Sequence, residues 1–227
     1  MSEEETYQEL APQPRPSVVK ELLERQRLLL ILTVLLVELT IFFLATSMPM
    51  DAATQQMLVN GAKNLSTTSS SSGPTGQFVY TFTHNATIAF LEMVPVIGGL
   101  LWVVSIYVTG QVVQALALSQ GAPGALYGLL LLFFPYAIVE LASYAVAVSS
   151  GIMLIVAWRR RRLRSEAKVL VLEAGVVAAM LLAAGAMETV TIVYAQSIPA
   201  LGIALWIPTG LTIAALVLIH KEPQEPR

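Results

Sequence analysis

The sequence has no cysteine, only two histidines and little charge: Asp, Glu, Lys and Arg make up 12% of its 227 residues, against about 25% in a soluble domain. Without cysteine there is no disulfide framework, no thiolate nucleophile and no cysteine-ligated zinc or iron–sulfur site. His84 and His220 are expected at opposite membrane faces, which leaves no histidine metal centre. A P-loop, H-E-x-x-H, G-x-S-x-G and the glycine-rich dinucleotide fingerprint are also missing. These gaps predict a non-enzymatic chain with no cofactor and no metal. The chain is instead 56% hydrophobic with a mean hydropathy of +0.70. A soluble fold of this size cannot hide that much apolar surface, so the surplus faces lipid in stretches of about 20 residues. A cytosolic enzyme, a nucleic-acid binder and a disordered scaffold are excluded.

The few charges carry the topology. Of the 13 Lys and Arg, four lie within residues 1–27, six within 159–168 and two after residue 220, leaving Lys63 alone. Basic residues that flank spans stay on the cytoplasmic side, which predicts both termini and the Arg159–Lys168 loop inside and the Lys63 region outside. The chain then crosses an odd number of times between Lys63 and Arg159.

The first span reads as Leu28–Ser47, after a cytoplasmic tail over 1–27. Residues 48–83 are polar and contain TTSSSSGPTG, read as a mobile external loop, preceded by a short interfacial helix capped by Asp51. Asn64-Leu-Ser and Asn85-Ala-Thr fit the glycosylation pattern. Residues 84–158 are long enough for three crossings. Breaks are expected at Gly110, at Gly121–Gly124 and at Phe134-Pro135, with the third span short, broken or re-entrant between Gln111 and Phe134. His84-Asn85 is read as a helix start with Asn as cap, and Pro135 as the first-turn residue of the fourth span. Val169–Gln196 and Ile198–His220 supply two more spans, before a tail over 221–227. The expected fold is an all-α polytopic bundle of about six spans in the plasma membrane, its transmembrane domain running over 28–220.

Five glutamates fall at or near membrane depth: Glu38, Glu92, Glu140, Glu173 and Glu188. An acidic side chain at a helix centre costs about 2.5–3.5 kcal/mol on insertion scales, so such residues face the bundle interior and mark sites. Glu173 has a local reading, one turn into its helix and reaching the interface. Glu140 has Ser143 and Tyr144 at i+3 and i+4 on its own face. The candidate intramembrane polar site is therefore Glu38, Glu92, Glu140, Ser143, Tyr144 and Glu188. The cluster Arg159, Arg160, Arg161, Arg162 and Arg164 anchors the inner face and is the candidate contact for lipid headgroups or an acidic partner. Small residues every four positions, Gly124/Gly128 and Ser143/Ala147/Gly151, predict close helix packing within the chain or in a homo-oligomer.

The stretch FTHNATIAFLEMVPVIGGLLWVVSIYVTGQVV followed by FFPYAIVELASYAVAVSSG resembles the core of the stage II sporulation protein M family. The matching positions are Asn85, Gly98, Gly110, Pro135, Glu140 and Gly151. The His-Gly frequent after the family's proline is here Tyr136-Ala137, a departure that puts any role of that dipeptide in doubt. The resemblance implies a membrane scaffold that gathers envelope partners, in spore formers the enzymes that degrade cell wall. The residues leave a second reading open, a permease subunit served by an ATPase on a separate chain, in which the glutamates line a route.

Overall fold

The computed structural model describes residues 24–194, 204–207 and 210. The predicted last span over 198–220 and both outer tails therefore lie essentially outside the described residues. Seven α-helices form among the described residues: α1 Arg25–Ser47, α2 Ala52–Ser70, α3 Gly73–Glu92, α4 Ile97–Ser119, α5 Gly124–Leu131, α6 Pro135–Arg159 and α7 Leu163–Tyr194. Four of them, α1, α4, α6 and α7, are long and apolar enough to cross a membrane. The chain is an all-α, multi-pass membrane protein.

The short helix expected after Asp51 forms and runs on to Ser70, and the TTSSSSGPTG run expected as a mobile loop is mostly helical as well. Asp51 caps α2 by accepting from the Thr54 amide at 2.9 Å and the Thr54 hydroxyl at 2.7 Å. The hydroxyl and then the amide hold the exposed Asp51 carboxyl below its ordinary range. Gln56 donates to Asn60 at 2.9 Å one turn on, and Ser69 and Ser70 turn their hydroxyls back to the Ser66 carbonyl. The polar run is thus folded onto its own helix, and Val59 is buried where α2 packs on α4 and α3. Gly73, at φ +69°, makes the turn out of α2, and Pro74 occupies the first turn of α3.

That early start overturns the reading of His84-Asn85 as a helix start. Both lie inside α3, with His84 exposed and stacked on Tyr80 at 5.9 Å, and Asn85 buried. The sequon at Asn64 is exposed on α2, whereas Asn85 faces the protein.

The expected break at Gly110 is also absent, because Gly110 lies within α4. The chain breaks earlier, over Met93–Val96 around Pro95, where proline restricts the residue before it and removes a helical donor. Val96 adopts φ +69° and ψ −61°, and the Ile97 amide donates to the Pro95 carbonyl at 2.8 Å, closing a γ-turn. The breaks at Gly121–Gly124 and Phe134-Pro135 form as read, and they bound the eight-residue α5. Gly121, at φ +70°, ends α4 in a Schellman motif: the Ala122 amide donates to Ala117 and the Gly121 amide to Leu118.

Close contacts fix the directions of the helices. Val34 of α1 shares a cluster with Trp102 of α4, Gly110 lies against Ala45, and Gln114 donates to the Met48 carbonyl at 3.1 Å, so α1 and α4 run the same way. α6 runs opposite to both, with Leu141 beside Phe42 and Ala145 and Val148 beside Val34. α7 packs most extensively on α6 and also on α3, through Ala86, Ala89, Met93, Ala147, Val177 and Leu181. Two seams result, α1/α4/α6 and α3/α6/α7. Tyr144 of α6 touches both.

Small residues allow these approaches, as expected where lipid removes the hydrophobic drive between helices. A Cβ on Gly110 would stand 2.6 Å from Ala45 Cβ, and one on Gly151 would stand 3.0 Å from the Met93 carbonyl oxygen. Gly124 and Gly128 are spent in the same way against Thr46 and Phe42 of α1. The contact at Gly151 also sets the depth of the α3–α4 hairpin. Gly151 lies eight residues before the end of α6 at Arg159, about 12 Å at helical rise. The hairpin therefore turns back before the level of the basic end.

Candidate functional site

Glu38 lies midway along α1 and is fully buried; Glu92, the last residue of α3, is 2% exposed. α3 ends where it does because Pro95 follows, and this delivers Glu92 to the interior rather than to a membrane surface. Glu92 and Glu140 both lie within electrostatic reach of Glu38, and Tyr144 is within reach of all three. The Tyr144 hydroxyl donates to Glu140 Oε1 at 3.1 Å. On the other flank of Glu140 stand Glu188 of α7 and Tyr136 of α6. Four helices thus supply one intramembrane polar cluster around Tyr144.

The cluster is unevenly satisfied. Both carboxyl oxygens of Glu38, Oε2 of Glu92 and the indole Nε1 of Trp102 are buried without a hydrogen-bond partner, although Trp102 lies beside Glu38. Unpaired buried groups of this kind are costly. Among the described residues no Lys, Arg or His contributes to the cluster. Such a set can bind a positive species or fasten helices. Among the described residues no group of His, Asp and Glu has the geometry to hold a metal ion.

Of the residues predicted as an intramembrane site, Glu38, Glu92, Glu140 and Tyr144 are brought together, with Glu188 at the edge. Ser143 is buried, but its hydroxyl donates to the Glu140 backbone carbonyl at 2.6 Å rather than to a carboxylate. Pro135 opens α6 behind Phe134.

Glu173 has a different role from the one expected. It is fully buried and lies three turns into α7, and Arg27 Nη1 donates to its Oε1 at 2.6 Å while Arg27 Nη2 donates to Glu166 Oε1 at 2.6 Å. This clamp ties the start of α1 to the start of α7. A basic residue just ahead of the first apolar run thus neutralises a membrane glutamate. The signal was present: Arg27 directly precedes the first apolar run, and Glu166 and Glu173 fall two turns apart on one helical face.

The basic loop is shorter than predicted. α6 ends at Arg159 and α7 starts at Leu163, so only Arg160, Arg161 and Arg162 connect them. The Arg162 amide donates to Ala157 at 2.8 Å and the Arg161 amide to Trp158 at 3.1 Å, a Schellman ending with Arg161 at φ +56°. The Arg162 carbonyl then accepts from Ser165 Oγ and from the Ser165 and Glu166 amides, starting α7. Arg159, Arg160, Arg161, Arg162 and Arg164 are all exposed.

A family model described as SpoIIM, stage II sporulation protein M, matches residues 28–191. The chain belongs to the stage II sporulation protein M family. No curated protein and no solved structure matches it. The match runs from the first apolar residue of α1 almost to the end of α7, so the seven-helix bundle is the family's region. Several positions that carry the resemblance fall where the bundle is tightest. Gly98 lies under the Glu92 carbonyl, Gly110 on α1, Gly151 on the α3–α4 turn, and Glu140 in the polar cluster. The departure at Tyr136-Ala137 puts an aromatic phenol beside Glu140 and Glu188, in the wall of that cluster.

Proposed function

We propose that this stage II sporulation protein M family member is a non-enzymatic scaffold of the plasma membrane that organises envelope partners. Its fold in this reading has about six spans: α1, α4, α6 and α7, a shorter α3 whose hairpin with α4 turns back before the basic face, and a last one within residues 198–220. The alternation of α1, α3, α4, α6 and α7 returns both termini to the Arg159 side, taken as cytoplasmic from its basic residues. The tails over 1–27 and 221–227 and the connection 159–168 face the cytoplasm, and residues 48–83 face outward.

One observation supports the scaffold reading most: a buried ion-pair clamp holds helices together, with Arg27 of α1 closed on Glu166 and Glu173 of α7. Within α6, Tyr144 donates to Glu140 one turn away. The faces left over suit partners and lipid, with Leu29, Leu32 and Leu36 of α1 and Leu100 and Val104 of α4 turned outward. Envelope proteins, membrane lipids and a second copy of the chain are the partners this reading allows.

Site-specific photo-crosslinking in growing cells tests it. Probes at exposed positions on α2, at Trp158 and at Arg161 are expected to give discrete adducts with envelope-remodelling proteins encoded nearby. The permease reading, with an ATPase on a separate chain, draws on the unpartnered oxygens of Glu38 and Glu92. It predicts solute or ion flux in proteoliposomes that Glu38→Gln and Glu92→Gln abolish. Such flux, without discrete adducts, would overturn the scaffold reading.

A further inference from the structure

At the Arg159 end, α1, α6 and α7 leave between them a cavity of about 320 Å³, whose wall includes Glu24, Gln26, Arg27, Arg160, Arg162 and Ser165. Its volume is at the lower end of the roughly 300–1,000 Å³ typical of ligand sites. The Arg27 side chain is 2% exposed, and both of its terminal nitrogens are committed to Glu173 and Glu166, yet its Nε has no partner. The Arg27 Nε is buried without an acceptor behind the cavity wall. Arg160 and Arg162, presented by the Schellman turn, add two more guanidinium groups to the same wall, and Gln26 adds a neutral side-chain amide. The wall carries Arg27, Arg160 and Arg162 against Glu24 and Glu166, and Glu173 lies buried behind Arg27.

What the wall lacks is a compact anion with several acceptor oxygens. The surroundings say where it comes from. Trp158, 67% exposed, stands at the same level of α6, where aromatic side chains mark the membrane interface. On α1 the exposed Leu29 and Leu32 lead from the cavity level into the apolar belt, a track for acyl chains. The cavity floor is apolar as well, from Met153, Val156 and Ala157. We propose that this cavity binds the phosphate group of a membrane phospholipid, held by the exposed Arg160 and Arg162 guanidinium groups, with the headgroup seated between α1, α6 and α7. Basic pockets between spans on one membrane face bind lipid headgroups by this chemistry.

The test measures lipid phosphorus per chain, and native mass, of the full-length protein purified from membranes through extended detergent exchange. The wild type is expected to retain one phospholipid per chain. Each basic residue near a lipid surface is worth about a factor of five, so Arg160→Gln/Arg162→Gln is expected to weaken retention roughly thirtyfold. Arg161→Gln/Arg164→Gln removes the same charge from a neighbouring surface groove and is expected to retain the lipid. All four arginines are exposed, and circular dichroism checks that the helices persist. A second arm adds short-chain phospholipid or inorganic phosphate to delipidated protein and reads the melting temperature. A rise with the lipid alone supports the proposal. An equal rise with inorganic phosphate would make the site one for a free anion. Equal loss of lipid from both arginine pairs would reduce the effect to surface charge. Either of these results, or a wild type that retains no lipid, overturns it.

Discussion

At the scale of single residues, the turn between α3 and α4 is where this chain is most constrained. Val96 is β-branched and sits at φ +69°, a region that costs such a residue about 1–3 kcal/mol. Two positions on, a Cβ at Gly98 would stand 2.1 Å from the Glu92 carbonyl oxygen, a backbone atom that moves only with the turn. Gly98→Ala is therefore expected to destabilise the protein by about 1–3 kcal/mol, and Val96→Gly to stabilise it by about 1 kcal/mol. Thermal denaturation in detergent or nanodiscs reads both, and a neutral Gly98→Ala would contradict the turn geometry. Outside the membrane, Asp51 makes a pH prediction. Its folded value is depressed by Thr54, so its support for α2 is present above the ordinary aspartate value of about 3.9 and is lost as pH falls through the lower folded value. Hydrogen exchange at the Thr54 amide is expected to accelerate across that window in the wild type and to be fast throughout in Asp51→Ala.

At the scale of elements, the Arg27 clamp decides how α1 meets α7. Arg27→Met leaves Glu173 buried without its counter-charge, and such losses cost about 3–5 kcal/mol. The double variant Arg27→Met/Glu173→Met removes the unpaired charge as well and is expected to recover most of that stability. Thermal stability measured around the full double-mutant cycle checks this; equal damage from the single and the double variant would contradict the clamp. The same scale shows what the sequence could reveal. α1 and α6 are legible to within about three residues because apolar length, Pro135 and the basic cluster bound them on both sides. α7 begins six residues ahead of Val169, because its first turns carry Arg164, Glu166 and Lys168 and lack the apolar run of a span. The start of α2 is legible from its Asp51 cap, whereas its last turns and the first half of α3 are hidden by composition: serine and threonine hydroxyls can satisfy a helix's own carbonyls, and packing on α4 supplies the rest. The Pro95 break was legible from proline's geometry but masked by the apolar residues around it. In the candidate site, the glutamates were visible as costly charges, whereas their grouping around Tyr144 depends on helix directions that no spacing encodes.

At the scale of the whole molecule, the absence of cysteine becomes an experimental advantage, since every introduced thiol is the only one in the chain. For the proposed orientation, Lys63→Cys and Arg161→Cys are expected to react with an impermeant maleimide from opposite sides of sealed vesicles. The central claim is that the intramembrane carboxylates belong to a packed interior that holds helices rather than to an aqueous route. Its most direct test is the reactivity of Glu38→Cys and Glu92→Cys toward a charged, water-borne thiosulfonate in intact membranes. Both are expected to stay unmodified until the membrane is dissolved and the protein denatured, while Arg161→Cys reacts at once. Labelling of Cys at 38 or 92 in the intact membrane at a rate like that at 161 would contradict the account and establish a water-filled path to the cluster.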